Sequence, residues 1–173
     1  MTIIVETGSG SASSESYVSV AEADAYQTNL GNALWINLLV VEKEQALRRA
    51  TLYMAQIYRL RWAGYRVSAT QALDWPRAYV PIPDVVGVYR GKSYIDNSTV
   101  PNVVKTACIE LAFAAAAGNL NPPATQNVLS KEVGPIKVVY DKDSPQGKRF
   151  PAIDAMLAPF LSYNVNTMKL VRA

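Results

Sequence analysis

Val41-Glu-Lys-Glu-Gln-Ala-Leu-Arg-Arg-Ala-Thr-Leu-Tyr-Met-Ala-Gln-Ile-Tyr-Arg-Leu-Arg-Trp62 is the stretch on which the fold is decided. Ala46, Ala50, Tyr53, Met54, Ile57 and Leu60 or Arg61 recur at three-and-four spacing, which predicts one long amphipathic helix. Glu42 and Glu44 stand in its first turn and Arg59 and Arg61 in its last, as the helix dipole favours. At about 1.5 Å per residue the predicted rod is roughly 30 Å long.

Upstream, Ser19-Val-Ala-Glu22 has capping-box spacing and predicts a helix running to about Leu30, stopped at Gly31-Asn32. Val18 and Ala23 stand where a hydrophobic staple would sit. Thr7 to Ser16 is rich in Gly and Ser and reads as a flexible loop, with Thr2 to Val5 as a short strand or pairing arm before it. Ala33 to Leu39 predicts a further helical turn or two.

Downstream, residues 63–98 carry Gly64, Pro76, Pro81, Pro83, Gly87 and Gly91 and keep no period. They predict a long irregular excursion with a short hairpin near Val85 to Tyr94, of the kind that is functional or mobile. A second strong helix opens at Pro101, with Ser98 or Thr99 as its cap. Val103, Val104, Ala107, Cys108, Leu111, Ala112 and Ala115 mark its buried face, and Gly118-Asn119 ends it. Glu132 to Tyr140 is β-rich, with Ile136, Val138 and Tyr140 on one face and Pro135 marking an edge. Asp143 to Gly147 reads as an exposed loop, Pro151 starts a last helix ending near Pro159, and Ser162 to Ala173 reads as a mobile or partner-bound arm. The expected class is mainly α: a small helix bundle with a short β-hairpin and extended arms. It is one domain over 1–161, with the excursion at 63–98, a β-rich arm at 128–150 and a C-terminal arm at 162–173.

The 173 residues suit one compact domain, half of them hydrophobic and 18% charged. Met1 to Gly10 has no signal-peptide pattern, and no apolar run approaches membrane-spanning length. The single cysteine, Cys108, excludes an internal disulfide and reads as a buried, inert thiol in a reducing compartment. There is no histidine, which removes serine–histidine, cysteine–histidine and histidine-ligated metal chemistry. Carboxylates are scattered; Asp141 and Asp143 flank a turn. Gly87 to Ser93 falls one residue short of a phosphate loop, and no helix follows it. No enzyme and no cofactor is expected.

Charge is unevenly spread: residues 1–47 carry six acids and one base, and residues 48–105 nine bases and three acids. Either nucleic acid or the acidic part of a neighbouring copy would answer such a middle. Arg48, Arg49, Arg59, Arg61, Arg66, Arg77, Arg90 and Lys92 interleave there with Tyr53, Tyr58, Trp62, Tyr65, Trp75, Tyr79, Tyr89 and Tyr94. Guanidinium groups neutralise phosphates and rings stack on unpaired bases, so single-strand binding is one reading. Tyr53 and Trp62 in the core, with the arginines on a wet face or a protein interface, is the other.

A series of segments carries a family resemblance: Glu6-Thr-Gly-Ser-Gly10, Ser16-Tyr-Val-Ser-Val-Ala-Glu-Ala-Asp-Ala-Tyr26, Glu44-Gln-Ala-Leu-Arg-Arg-Ala-Thr51, Leu73-Asp-Trp-Pro-Arg77, Lys131-Glu-Val-Gly-Pro135 and Pro151 to Leu161. Together they resemble a tailed-phage family whose members are often labelled DnaT-like single-stranded-DNA-binding proteins. In size and helical layout those members are similar to head–tail connector (adaptor) proteins. The adaptor resemblance implies a ring, dodecameric, docked between portal and tail or neck proteins, with double-stranded DNA passing through its lumen. It implies a virion protein at the head–tail junction, assembled in the host cytoplasm and touching no membrane. Arg48, Arg49, Arg59, Arg61, Arg66, Trp75 and Arg77 are then candidates for DNA or neighbour contact. Tyr163, Val165, Met168, Leu170 and Arg172 are candidates for a portal or tail contact arm.

Overall fold

The computed structural model describes residues 2–86, 92–121, 130–133, 136–139 and 150–162. Five helices dominate them: α1 (Val20–Asn29), α2 (Ala33–Ile36), α3 (Val40–Tyr58), α4 (Asn102–Ala117) and α5 (Pro151–Leu157), the last continued by a 3-10 turn, Ala158–Phe160. Six short strands pair in antiparallel twos: β1 (Tyr65–Arg66) with β2 (Arg77–Ala78), β3 (Pro81–Val86) with β4 (Lys92–Tyr94), and β5 (Ser130–Val133) with β6 (Ile136–Val139). The expected mainly α class with a small β element is what the chain adopts.

The α1 start follows its sequence signal. Ser19 Oγ accepts from the Glu22 amide, while the Glu22 carboxylate accepts from the Ser19 amide at 2.8 Å. Glu22 also takes Lys105 Nζ at 2.9 Å, tying α1 to α4. Desolvation pushes the Glu22 carboxyl up, but the Ser19 amide and Lys105 outweigh it, so its pKa lies below the ordinary 4.5. A carboxylate depressed by folding stabilises the fold above its unfolded pKa and ceases to as pH falls through its folded one. Acid titration of stability should therefore show a fall below pH 4.5 that Glu22→Gln makes shallower, read as the urea midpoint at each pH. An identical acid slope in the variant would refute this.

α3 and α4 form the main helix pair, with α5 packed on α4. Ala46, Leu47, Ala50, Met54 and Tyr58 of α3 meet Val104, Ala107, Cys108, Leu111, Ala112 and Ala115 of α4 in one core. The small α4 residues let the helices approach closely. Thr51 Oγ1 lies 3.5 Å from the Cys108 sulfur, and burial raises that thiol's pKa. Cys108 is buried and un-ionised, as expected.

Three expectations change. The long helix starts at Val40 and stops at Tyr58 rather than running to Trp62. The Arg61 and Trp62 amides both close on the Tyr58 carbonyl, and the chain turns Trp62 inward against Trp75, ring centroids 5.7 Å apart. Ile57 and Leu60 consequently lie in solvent, Leu60 96% exposed, and the buried stripe runs through Leu47 and Tyr58 instead.

The Gly/Ser loop is not loose either. The fully buried Glu6 carboxylate accepts from the amides of Gly8 (2.8 Å), Gly10 (3.0 Å) and Ser11 (2.9 Å) and from the hydroxyls of Ser9 (3.5 Å) and Ser14 (3.0 Å). A carboxylate thus fills the nest of amides that Gly8 and Gly10 make possible at positive φ. A Cβ on Gly8 would stand 1.8 Å from the Ser98 carbonyl oxygen, so the loop is seated on that turn.

The α4 cap differs as well. Pro101 occupies the N-cap without a side-chain bond, and Ser98 bonds Asp96 Oδ1 through both amide and hydroxyl. The expectations on Gly87–Gly91, Pro135, Tyr140, Asp141, Asp143 to Gly147 and the arm at 163–173 lie outside the described residues.

Candidate functional site

Each basic or aromatic candidate can be placed by what it touches. Arg48 reaches Glu15 Oε2 at 3.0 Å and Glu44 Oε2 at 3.5 Å, and Glu44 in turn accepts the Ile3 amide at 3.3 Å. Arg48 therefore clamps the N-terminal segment onto α3, and its hydrogen bond holds the exposed Glu15 carboxyl below the ordinary range. Lys43 pairs with Asp24 at 2.9 Å, where Trp35 Nε1 also donates. Through Arg48 on Glu15 and Glu44, and Lys105 on Glu22, the acidic first part and the basic middle of the sequence meet inside one copy. These pairs need no neighbour.

Asp74 is buried and accepts from Arg59 Nε at 2.8 Å, while its amide donates to the Tyr17 hydroxyl at 3.0 Å. Arg77 is buried and spends its guanidinium on three backbone carbonyls: Ala63 (2.7 Å), Gly64 (2.7 Å) and Asp74 (3.2 Å). Burial lowers its pKa, opposed by the nearby Asp74. It buttresses the β1–β2 ribbon and has no donor fork to offer a phosphate. Trp75 has no exposed surface and lies edge-on between Trp62 (5.7 Å) and Phe160 (6.2 Å). A ring enclosed on both sides cannot stack on a base. Of the expected DNA or neighbour contacts, Trp75 and Arg77 are therefore enclosed by the fold, while Arg48 and Arg59 are paired with carboxylates and stay partly exposed.

Arg59 keeps about half of its side chain exposed beside Asp74, and three further candidates lie at the surface. Arg49 lies beside a shallow hollow of about 230 Å³ shared with Leu52, Tyr53, Gln56, Asn119, Leu120 and Asn121. Arg61 sits over the Tyr58 ring at 5.4 Å and 3.9 Å from Asp154. Arg66 is exposed and donates to the Gln71 carbonyl at 3.2 Å, in no ion pair among the described residues.

Sequence reasoning missed two features. Leu39, Val40 and Val41 at the start of α3, and Leu60 past its end, are exposed apolar side chains. Tyr79 and Tyr94 are 70% and 49% exposed and pack edge to face, centroids 6.1 Å apart. In a segment with no period, no sequence signal separates these rings from the buried Trp62 and Trp75. Among the described residues no acidic or cysteine cluster could hold a metal ion, and no helix is long and apolar enough to cross a membrane.

A family model described as "Putative DnaT-like ssDNA binding protein" matches residues 1–173. The chain belongs to that family. No curated protein and no solved structure gives a significant match. Among the described residues of this DnaT-like chain, Arg49, Arg59, Arg61, Arg66 and the tyrosines Tyr65, Tyr79 and Tyr94 are the arginines and large rings left exposed.

Proposed function

We propose that the protein is a non-catalytic structural subunit that works by docking, as the head–tail adaptor of a tailed phage. In this reading copies form a ring between portal and tail or neck proteins, in the virion and, during assembly, in the host cytoplasm. Double-stranded DNA crosses the lumen without being read. The observation that supports it is the apolar surface at both ends of α3, Leu39 to Val41 and Leu60, on a body that engages Arg48, Arg59 and Arg77 with its own carboxylates and carbonyls. Leu39, Val40 and Val41 stand together, and large apolar side chains grouped in solvent mark sites of protein association. The resemblance of size and layout to connector proteins supplies the particular assembly.

Mixed with purified portal rings, the chain should co-elute with them, and mass spectrometry of purified virions should find it. Leu60→Asp should abolish co-elution while moving stability by no more than about 0.5 kcal/mol, since so exposed a side chain contributes little to the fold. A chain that stays monomeric beside portal and is absent from particles would end this reading.

A second reading, single-strand binding in replication, is favoured by the family description over the whole chain. Titration of a labelled oligonucleotide at graded salt tests it. No binding near physiological salt would end it.

A further inference from the structure

We propose that the exposed Tyr79–Tyr94 pair, with Arg66 on the adjoining ribbon, is a stacking site for the bases of an unpaired nucleic-acid strand. The proposal rests on the second reading above and supplies the surface that reading lacks. The first reason is elimination by burial. All three tryptophans are at most 4% exposed, and Tyr65, Tyr79 and Tyr94 are the exposed large aromatics among the described residues. The second reason is arrangement. Tyr79 follows β2 directly and Tyr94 closes β4. The Ile95 amide bonds the Val80 carbonyl at 2.9 Å, which fixes the two ring-bearing backbones side by side. The rings meet at an interplanar angle of 86°, so the edge of one abuts one face of the other and the pair leaves the remaining faces uncovered.

The third reason is strain without return. Tyr79 is the one non-glycine residue at positive φ, +60°, among the described residues. An L residue with a large side chain is disfavoured there, and such strain gathers at functional positions. Packing does not explain it, because the ring stands in solvent. The Gly64–Ala78 approach, where a Cβ would lie 2.2 Å from the Ala78 oxygen, holds this corner of the ribbon rigid. A rigid platform loses little freedom when a base settles on it.

Charge is the fourth. Residues 59–94 carry six bases and two acids. Asp74 is consumed by Arg59, whereas Arg66, one residue from the exposed Tyr65, has no acidic partner among the described residues. Exposed rings, with an exposed guanidinium on the adjoining β1–β2 ribbon, suit a flexible phosphodiester with unstacked bases. Such a site does not suit a duplex, whose bases are hidden.

The experiment is fluorescence anisotropy of a dye-labelled oligo(dT), with a duplex of equal length as control. Because the tryptophans are buried, the label has to be on the DNA. Tyr79→Ala and Tyr94→Ala should each weaken oligo(dT) binding roughly five- to a hundredfold, with the salt slope unchanged. Tyr79→Phe and Tyr94→Phe should bind as the wild type does, because the face and not the hydroxyl is used. Arg66→Ala should reduce the slope of log K against log salt by about 0.7. Tyr79→Gly separates site from scaffold: relieved of strain, it should melt no lower than the wild type and still lose binding. Wild-type binding that survives both alanine variants would overturn the site and leave the strand-binding reading standing. Absence of any wild-type binding would overturn both. Loss of association with a protein partner in the tyrosine variants, with no oligonucleotide bound by the wild type, would reassign the surface to a protein interface and overturn the proposal.

Discussion

Glu6→Ala should lower the stability of the protein by about 4 kcal/mol, a large share of the roughly 5–15 kcal/mol that holds a domain of this size. The carboxylate is fully buried and accepts three amides and two hydroxyls within ten residues of chain. Removing it deletes charge-assisted bonds worth about 1.5–3 kcal/mol each, which are not additive. It also leaves several buried donors without a partner, at about 1–3 kcal/mol for each that water cannot reach. The same loop sits on the Ser98 turn at the head of α4, and residues 4–6 run beside residues 15–16. Loosening it therefore frees the N-terminal segment that Arg48 clamps to α3. With a urea slope near 2 kcal/mol/M the midpoint should fall by about 2 M at unchanged slope. Glu6→Gln should lose less, because one oxygen still accepts while the amide nitrogen faces other donors. Ser14→Ala, which removes one hydroxyl, should cost about 1 kcal/mol. A Glu6→Ala midpoint within a few tenths of a molar of the wild type would show that the loop is not organised by its carboxylate.

That loop also shows where a sequence reading stops. Its composition points to flexibility because little in it can be buried, yet the pattern also contains an acid followed by two glycines and several short donors. Those are the parts of an anion nest with the anion supplied in cis. Local signals of the same range were legible elsewhere. The Ser19–Glu22 box, the Gly118 stop and the Pro151 start act through neighbours three or four residues away, and each lies where the pattern places it. The end of α3 is different. Ile57 and Leu60 continue the helical period, but Trp62 is drawn into a ring cluster with Trp75 and Phe160, contributed by segments 13 and 98 residues further on. No local rule contains that pull. Trp75 and Arg77 left the candidate surface for the same reason. Arginines and rings interleave in the sequence from 48 to 94, and only the fold decides that Arg77 faces carbonyls, Arg59 faces Asp74 and Tyr79 faces water.

Trp75→Ala should be the most damaging single change in that middle segment, and it should damage the fold alone. The side chain has no exposed surface and touches Trp62 and Phe160 edge-on, so its truncation leaves a cavity between the excursion and the end of α5. Large-to-small changes of this kind cost about 3–5 kcal/mol. Its neighbours Asp74 and Arg77 bind Arg59 and the β1–β2 ribbon, so the cost should spread to the corner that presents Tyr79. Trp75→Phe should be milder, about 1–2 kcal/mol, because the indole Nε1 has no hydrogen-bond partner to lose and only volume is removed. The two variants then decide what Trp75 is for. If it served as a stacking ring, Trp75→Phe would retain much of the oligonucleotide affinity and Trp75→Ala would lose it at every temperature. If it is core, any affinity measured well below the melting transition, per folded molecule, should be the same in wild type and Trp75→Phe. Trp75→Ala should then recover its losses on addition of a stabilising osmolyte, which refolds the chain without restoring a ring. Thermal melts and anisotropy on the same samples read both quantities. Affinity that stays lost in a fully refolded Trp75→Ala, with Tyr79 and Tyr94 intact, would contradict the burial assigned to this residue.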